Sequence, residues 1–463
     1  MPASLFAGEA AQRPEKPVLV DGEGTHTWAA LLRRAGRVRA DLAAQGVGPG
    51  ERVAIRIESP LELTVAVLGT LATGATVTPL NPRLAADESE VILADLQPAL
   101  TISQAIPGEA DFDPRVVATE APAFVLYTSG STGQPKGVVL SHGAVAAALA
   151  HWRGPVMALG PDDVVLSTLP PAHSFGLFGS ILGPLSAGAT VVFLRRFTPE
   201  AALAAIARAR VSVFPGVATM FQRILECPDL AGSDLASLRI AVSGAAPCPW
   251  ELAEKWRAVT GARIIRGYGM TELFRPISFM AEDENEAPLA IGRAMPEVRL
   301  RIVDDDGEEL ATGETGELWI NSPARLSEYL NRPAETAEVL TADWFRTGDL
   351  ATISADGFVT IAGRIKDVIL RGGYTVAAGE IEAVLESHDD IAEAAVVGVP
   401  DPELGEEIAA FVTLGPDAAS TEADIIAYCR QRLASYKYPR RIEIVVSLPK
   451  GPTGKILKAR LQA

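Results

Sequence analysis

Cysteine is scarce: Cys227, Cys248 and Cys429 are the three in 463 residues, and no two form a Cys-x-x-Cys pair. That excludes a disulfide framework and a thiolate metal centre, and it fits a reducing compartment. The five histidines are not spaced as ligands, which argues against a resident transition metal. Long apolar runs are missing too. No segment reaches the roughly eighteen residues of a membrane-crossing helix, and the N-terminus has no basic stretch ahead of a hydrophobic one. A cytoplasmic protein without membrane insertion is expected. Positive charge is in deficit: 41 Lys and Arg against 58 Asp and Glu leave a net charge of −17. Nucleic acid and anionic membrane are therefore poor candidates for the main partner.

What is abundant is core-forming material. An apolar fraction of 48% over this length exceeds what one hydrophobic core supports, so two or more domains are expected. Thr27 can cap a helix from Trp28 to about Gln45 with Leu31, Leu32, Ala35, Val38 and Leu42 on one face. Helices and strands then alternate through Glu62–Thr73, Thr76–Leu80, Val164–Leu169, Thr190–Leu194, Ala201–Arg210 and Leu238–Val242, the pattern of an α/β fold with mostly parallel sheets. From Val298 to Ile361 the strands become short and Gly/Asp-punctuated, which suggests an antiparallel or barrel-like subdomain. The last hundred or so residues (helices at Glu380–Ser387 and Thr421–Leu433, strands at Ala394–Val399, Ile408–Leu414 and Ile442–Val446) read as a separate α+β unit.

The most informative run is Tyr127-Thr128-Ser129-Gly130-Ser131-Thr132-Gly133-Gln134-Pro135-Lys136-Gly137. Three glycines let backbone N–H groups crowd an anion, four aliphatic hydroxyls donate further bonds, and Lys136 adds a mobile charge; the combination suits a polyphosphate. The apolar flanks Ala123–Leu126 and Val138–Leu140 make it a loop between strands, and Pro135 and Gly137 around the lysine exclude a Walker loop. A second run, Arg266-Gly267-Tyr268-Gly269-Met270-Thr271-Glu272, sets a carboxylate on a tight turn. Beside a triphosphate that carboxylate would be repelled unless a divalent cation lay between them, so Glu272 implies Mg²⁺. Ser243-Gly244-Ala245-Ala246-Pro247 follows a strand, at the end where open α/β sheets place ligands.

These runs, in this order, resemble the adenylate-forming superfamily of acyl-CoA synthetases, adenylation domains and luciferases over about Thr27 to Lys458. The resemblance implies a large N-terminal domain, residues 1–364, and a small mobile C-terminal one, residues 365–463. It implies that Thr128, Ser129, Gly130, Ser131, Thr132, Gly133 and Lys136 bind phosphates and that Gly244, Ala245, Ala246 and Pro247 border adenine. Gly267, Tyr268, Gly269, Met270 and Thr271 also contact the nucleotide, with Glu272 on the metal. Asp349, in Trp344-Phe345-Arg346-Thr347-Gly348-Asp349, matches the ribose carboxylate, and Arg364 its companion; Lys366 matches the hinge. Lys455, on the Gly/Pro loop Leu448–Lys458, matches the lysine set between carboxylate and α-phosphate; with Glu272, Thr128 and His173 it makes up the catalytic set. The acyl pocket is implied at His173, Val217, Ala245, Gly267, Phe274 and Arg275. Arg275 is open to two readings, a partner for a second acidic group or a salt-bridged wall residue.

The expected reaction joins a carboxylic acid to ATP as an acyl-adenylate with release of pyrophosphate, and CoA thiol then displaces AMP. The loop Gly372–Gly379, expected to form the pantetheine tunnel, has Ala377 and Ala378 where many acyl-CoA ligases have an aromatic residue and a proline. A carrier-protein thiol, an amine or nitrite therefore stand as alternative acceptors, and an idle nucleotide-binding protein as a third reading. No acid occurs near Ser174 and Phe175, which disfavours an α-amino acid, and the small apolar walls favour an aliphatic or aromatic acid.

Overall fold

Thr27 is extended and its hydroxyl accepts a bond from the Ala30 N–H, so the first long helix begins at Trp28 and runs to Ala44 with Leu31, Leu32, Ala35, Val38 and Leu42 buried. The helix Pro60–Thr73 packs against it. Gly69 is what lets the two approach, because a Cβ there would lie 2.5 Å from Val38 Cβ. The computed structural model describes residues 2–129, 135–283, 287–365, 368–371, 374–402, 404–416, 418–450 and 456–461. These pack as two units, residues 1–299 with 321–345, and residues 300–320 with 346–463.

The first unit holds two large sheets. In the seven-stranded one, Arg263–Ile265, Ile240–Ser243, Val213–Gly216, Val164–Ser167, Thr190–Phe193 and Pro17–Val20 lie side by side in parallel, and Thr25–Thr27 closes the edge antiparallel. Its helical cover includes Pro199–Ala209, Ala218–Leu225 and Trp250–Thr260, with Phe221 edge-on to both Phe214 and Trp256 in the core. In the six-stranded one, Leu100–Ile102, Arg52–Ile55, Thr76–Pro79 and Pro122–Ser129 run parallel. Pro135–Ser141 and Glu328–Tyr329 then follow antiparallel. The α/β expectation holds, with mixed rather than wholly parallel sheets.

Between the large sheets runs a wide π-type helix, Phe175–Leu182, buried from Gly176 onward. Phe178 meets Phe124 of the six-stranded sheet and Phe274 of the short strand Phe274–Ser278, which belongs to a separate three-stranded sheet, at ring separations of 5.1 and 4.7 Å. Wide helical turns of this sort recur at functional sites.

The second unit contains the strands Arg299–Val303, Gly316–Asn321 and Trp344–Ile353 in that order, with Val359–Arg364 antiparallel to the last. It also contains a five-stranded sheet of Tyr374–Ala377, Val368–Arg371, Gly405–Leu414, Ile391–Asp401 and Arg441–Ile444. The helices Ala378–Glu386 and Glu422–Arg432 cover this sheet around Ile381, Leu385, Ile425 and Cys429. Among the described residues no helix is long and apolar enough to cross a membrane.

Candidate active site

The glycine-rich run begins and ends in two paired strands. Pro122–Ser129 and Pro135–Ser141 pair antiparallel in a register that sets Thr128 opposite Lys136 and Ser129 opposite Pro135. Gly130, Ser131, Thr132 and Gly133 lie outside the described residues. Lys136 is mostly buried. Its ammonium pairs with Glu335 and stands 5.5 Å from the centre of the Tyr329 ring. Glu335 accepts a second bond from Arg332 at 3.2 Å, and the Lys136 contact leads in holding its carboxyl below the usual range.

The second run folds as the strand Gly267–Met270, turned back on Phe274–Ser278. Gly269 is obligatory here, since a Cβ would sit 1.9 Å from the Phe274 carbonyl oxygen. That turn brings Glu272 to Tyr329, whose hydroxyl donates to Oε1 at 3.0 Å, while the Glu272 carbonyl accepts from the Leu326 N–H at 2.7 Å. Burial first, and the Glu272 charge second, push the Tyr329 hydroxyl well above its usual range, so it stays protonated and remains a donor. Among the described residues no group of three His, Cys, Asp or Glu could hold a metal. One carboxylate beside a phosphate loop is nevertheless what Mg²⁺ asks of a protein, because phosphate oxygens and water fill its remaining positions. The residues present fit that ion.

The turns at the carboxyl ends of two parallel strands share one clamp. Arg275 is 4% exposed and donates to the Ser243 carbonyl at 2.7 Å, the Ile265 carbonyl at 3.0 Å and the Ser278 hydroxyl at 2.9 Å. Its guanidinium also stands over Trp152 at 5.5 Å, and burial pushes its pKa down to about 9. Of the two readings, the wall residue is the one this arrangement resembles, with carbonyls and a hydroxyl as partners in place of the expected carboxylate. Gly267 packs directly on the guanidinium, with no room for a Cβ.

Beyond the clamp, Gly244 is half-buried and Ala245, Ala246 and Pro247 are exposed, Ala245 in the left-handed region at φ 67°. The buried Ser243 hydroxyl has no hydrogen-bond partner among the described residues. Phe175 lies against Gly244 and stacks on Trp152 at 5.4 Å, and Ser174 reaches Thr271 at 3.4 Å. His173 is half-buried two residues before Phe175, and burial lowers its pKa, so it is neutral at neutral pH. Val217 precedes the helix Ala218–Leu225. Trp152 had no signal in the sequence beyond being aromatic.

In the second unit Asp349 and Arg364 are cross-strand partners of one antiparallel ladder. The register itself brings the guanidinium to the buried carboxylate, with Arg364 Nε 3.1 Å from Asp349 Oδ1. Thr347 receives the Asp349 N–H at 3.0 Å and donates to the Leu318 carbonyl at 2.7 Å, which holds the turn. Lys366, Gly372, Gly373 and Lys455 lie outside the described residues. On either side of residues 451–455, Lys450 pairs with Glu393 at 2.5 Å and Lys458 with Glu382 at 2.8 Å. Ala377 ends a strand and Ala378 opens the next helix with no residue between them.

Tyr329 and Glu335 were not legible as site residues. They reach it only through the pairing of Glu328–Tyr329 with Pro135–Ser141, which no local spacing announces.

The family model for AMP-binding enzymes matches residues 6–118 and 104–330, and that for the AMP-binding enzyme C-terminal domain matches residues 380–455. The sulfoacetate–CoA ligase of Cupriavidus necator is 33% identical over 99% of this chain and 97% of its own length. The fatty acid–[acyl-carrier-protein] ligase ScoC of Streptomyces coeruleorubidus is 33% identical over 98% and 94%. The crystal structure of ATP-bound MatB from Rhodopseudomonas palustris superposes with a TM-score of 0.92 at 30% identity, covering 99% of this chain and 98% of that one. With motifs, fold and relatives in agreement along nearly its whole length, the chain belongs to the adenylate-forming superfamily of AMP-binding enzymes.

Proposed function

We propose that this enzyme condenses a carboxylic acid with ATP and passes the acyl group to the thiol of CoA. A carboxylate oxygen attacks the α-phosphorus, a new P–O bond forms, and the bond to the β-phosphate breaks with release of pyrophosphate. The thiol sulfur then attacks the acyl carbon, AMP departs with the electron pair of the broken C–O bond, and the thiol proton goes to solvent. The observation that carries this reading is the meeting of a cation and a carboxylate at one side chain: Lys136 over the Tyr329 ring and Glu272 at its hydroxyl, beside the paired strands of the glycine-rich run.

Lys136 and the strand hydroxyls Thr128 and Ser129 serve the phosphates, and Asp349 with Arg364 serves the ribose. Ala245, Ala246 and Tyr268 border the base. Glu272 would hold Mg²⁺, and that ion would supply charge to offset the triphosphate and polarise the α-phosphorus. Lys455 opposes the negative charge that grows on the non-bridging oxygens. His173, Val217 and Phe274 belong to the acyl site, neutral and largely apolar. Of the two domains, residues 1–364 and 365–463, the second carries both Lys455 for adenylation and the Gly372–Gly379 loop for the thiol step.

Carboxylate-dependent exchange of pyrophosphate into ATP, run over a panel of acids, tests the first half; silence across aliphatic and aromatic acids would sink it. Lys455→Ala should lower that exchange by about 10²–10³-fold yet spare thioester formation from supplied adenylate. A carrier-protein thiol is the second reading, motivated by the ScoC relative and by Ala377 and Ala378. AMP release that needs a carrier protein and ignores CoA would favour it.

A further inference from the structure

Tyr329 is joined to both charges of the phosphate site. Its hydroxyl donates to Glu272 Oε1 at 3.0 Å, its ring lies 5.5 Å beneath the Lys136 ammonium, and it is 7% exposed. The tyrosine is fixed from behind as well. It sits opposite Val138 in the ladder that carries Lys136, and its N–H donates to the hydroxyl of Thr336, in the middle of the helix Pro333–Val339, at 2.9 Å. That helix supplies Glu335, the carboxylate paired with Lys136. One short segment therefore touches the lysine twice and the glutamate once.

A carboxylate that accepts a bond on one oxygen turns the other toward whatever cation it meets, and it loses the freedom to rotate away. A cation over a buried ring is attracted to the ring face, and here that contact adds to the ion pair of Lys136 with Glu335 in fixing where the ammonium stands. The two contacts use different parts of the tyrosine, which makes them separable.

We propose that Tyr329 is a positioning residue of the phosphate site: its hydroxyl orients Glu272 toward the divalent cation, and its ring face seats Lys136 for the triphosphate. This rests on the reading of Glu272 as the metal carboxylate and of Lys136 as the phosphate lysine. It goes beyond that reading by assigning one side chain to the alignment of both.

The test compares Tyr329→Phe with Tyr329→Leu in two binding measurements that need no turnover. Mn²⁺ binding to the complex with α,β-methylene-ATP is followed by loss of the free-ion paramagnetic resonance signal. Binding of the same analogue in excess chelator, without metal, is followed by equilibrium dialysis. Tyr329→Phe should weaken Mn²⁺ about tenfold and leave metal-free analogue binding unchanged. Tyr329→Leu should weaken Mn²⁺ equally and reduce metal-free binding by a further factor of about three. A merely structural tyrosine would move both constants together in both variants, and that pattern, or a Tyr329→Phe protein with wild-type Mn²⁺ affinity, overturns the proposal. Glu272→Gln separates the two levels. If it weakens Mn²⁺ while Tyr329→Phe does not, the tyrosine's part is wrong and the reading of Glu272 stands; if it leaves Mn²⁺ untouched, the metal role falls and the proposal with it.

Discussion

Arg275 occupies a position where a buried guanidinium ordinarily meets a carboxylate, and it meets the Ser243 and Ile265 carbonyls instead. Each carbonyl belongs to a strand end from which a ligand turn springs. Replacing the residue by methionine keeps apolar bulk and leaves both acceptors without this donor, at about 1–3 kcal/mol each. Arg275→Met should therefore lose a few kcal/mol in urea denaturation and raise the KM for ATP, while substrate preference among acids stays as it was. An Arg275→Met enzyme of normal stability with a changed acid preference would instead mark this arginine as the partner of a second acidic group. At this scale Glu272, Asp349 and Arg275 were legible in the sequence through the motifs they sit in or adjoin. Tyr329 was not, since a tyrosine before an Asn-Arg-Pro turn has many structural uses.

At the scale of elements, local signals were read well. The Thr27 cap begins its helix where the sequence suggested, and the structure adds a left-handed stop at Gly74 and a Thr421–Asp424 capping box at the bounds of two further expected helices, each acting over one turn of chain. The helix His142–His151 carries a less visible feature. His142 is 1% exposed, both ring nitrogens lack partners among the described residues, and burial pushes its pKa down to about 4. Its folded-state pKa lies below the unfolded value near 6.5, so the unfolded chain takes up the proton first. The stability this neutral histidine contributes is complete above that value and is lost as pH falls toward 4. Denaturant melts should show about 2 kcal/mol lost by pH 5, and His142→Leu should remove that share of the pH dependence. A variant with the same acid sensitivity as the parent would place its origin elsewhere.

At the scale of the whole molecule, the C-terminal core (Ile369, Val376, Ile381, Leu385, Val396, Ile408, Val412, Ile425 and Ile442) is drawn entirely from residues 365–463. A fragment of those residues should melt cooperatively by circular dichroism. A broad, non-cooperative melt would move the division toward the strands 300–320 and 346–364, which pack with the same unit. The sequence alone determined that helices and strands alternate, where most of them begin, and which turns carry the chemistry. Caps, periodicity and glycine requirements are short-range, and they act before any distant contact forms. Only the tertiary structure decided that Tyr329 stands 57 residues from Glu272 yet bonds to it, and that Arg275 spans 32 residues to close on the Ser243 carbonyl. Such pairings depend on strand order and register, which follow from how whole sheets bury their faces and not from any run of neighbours along the chain.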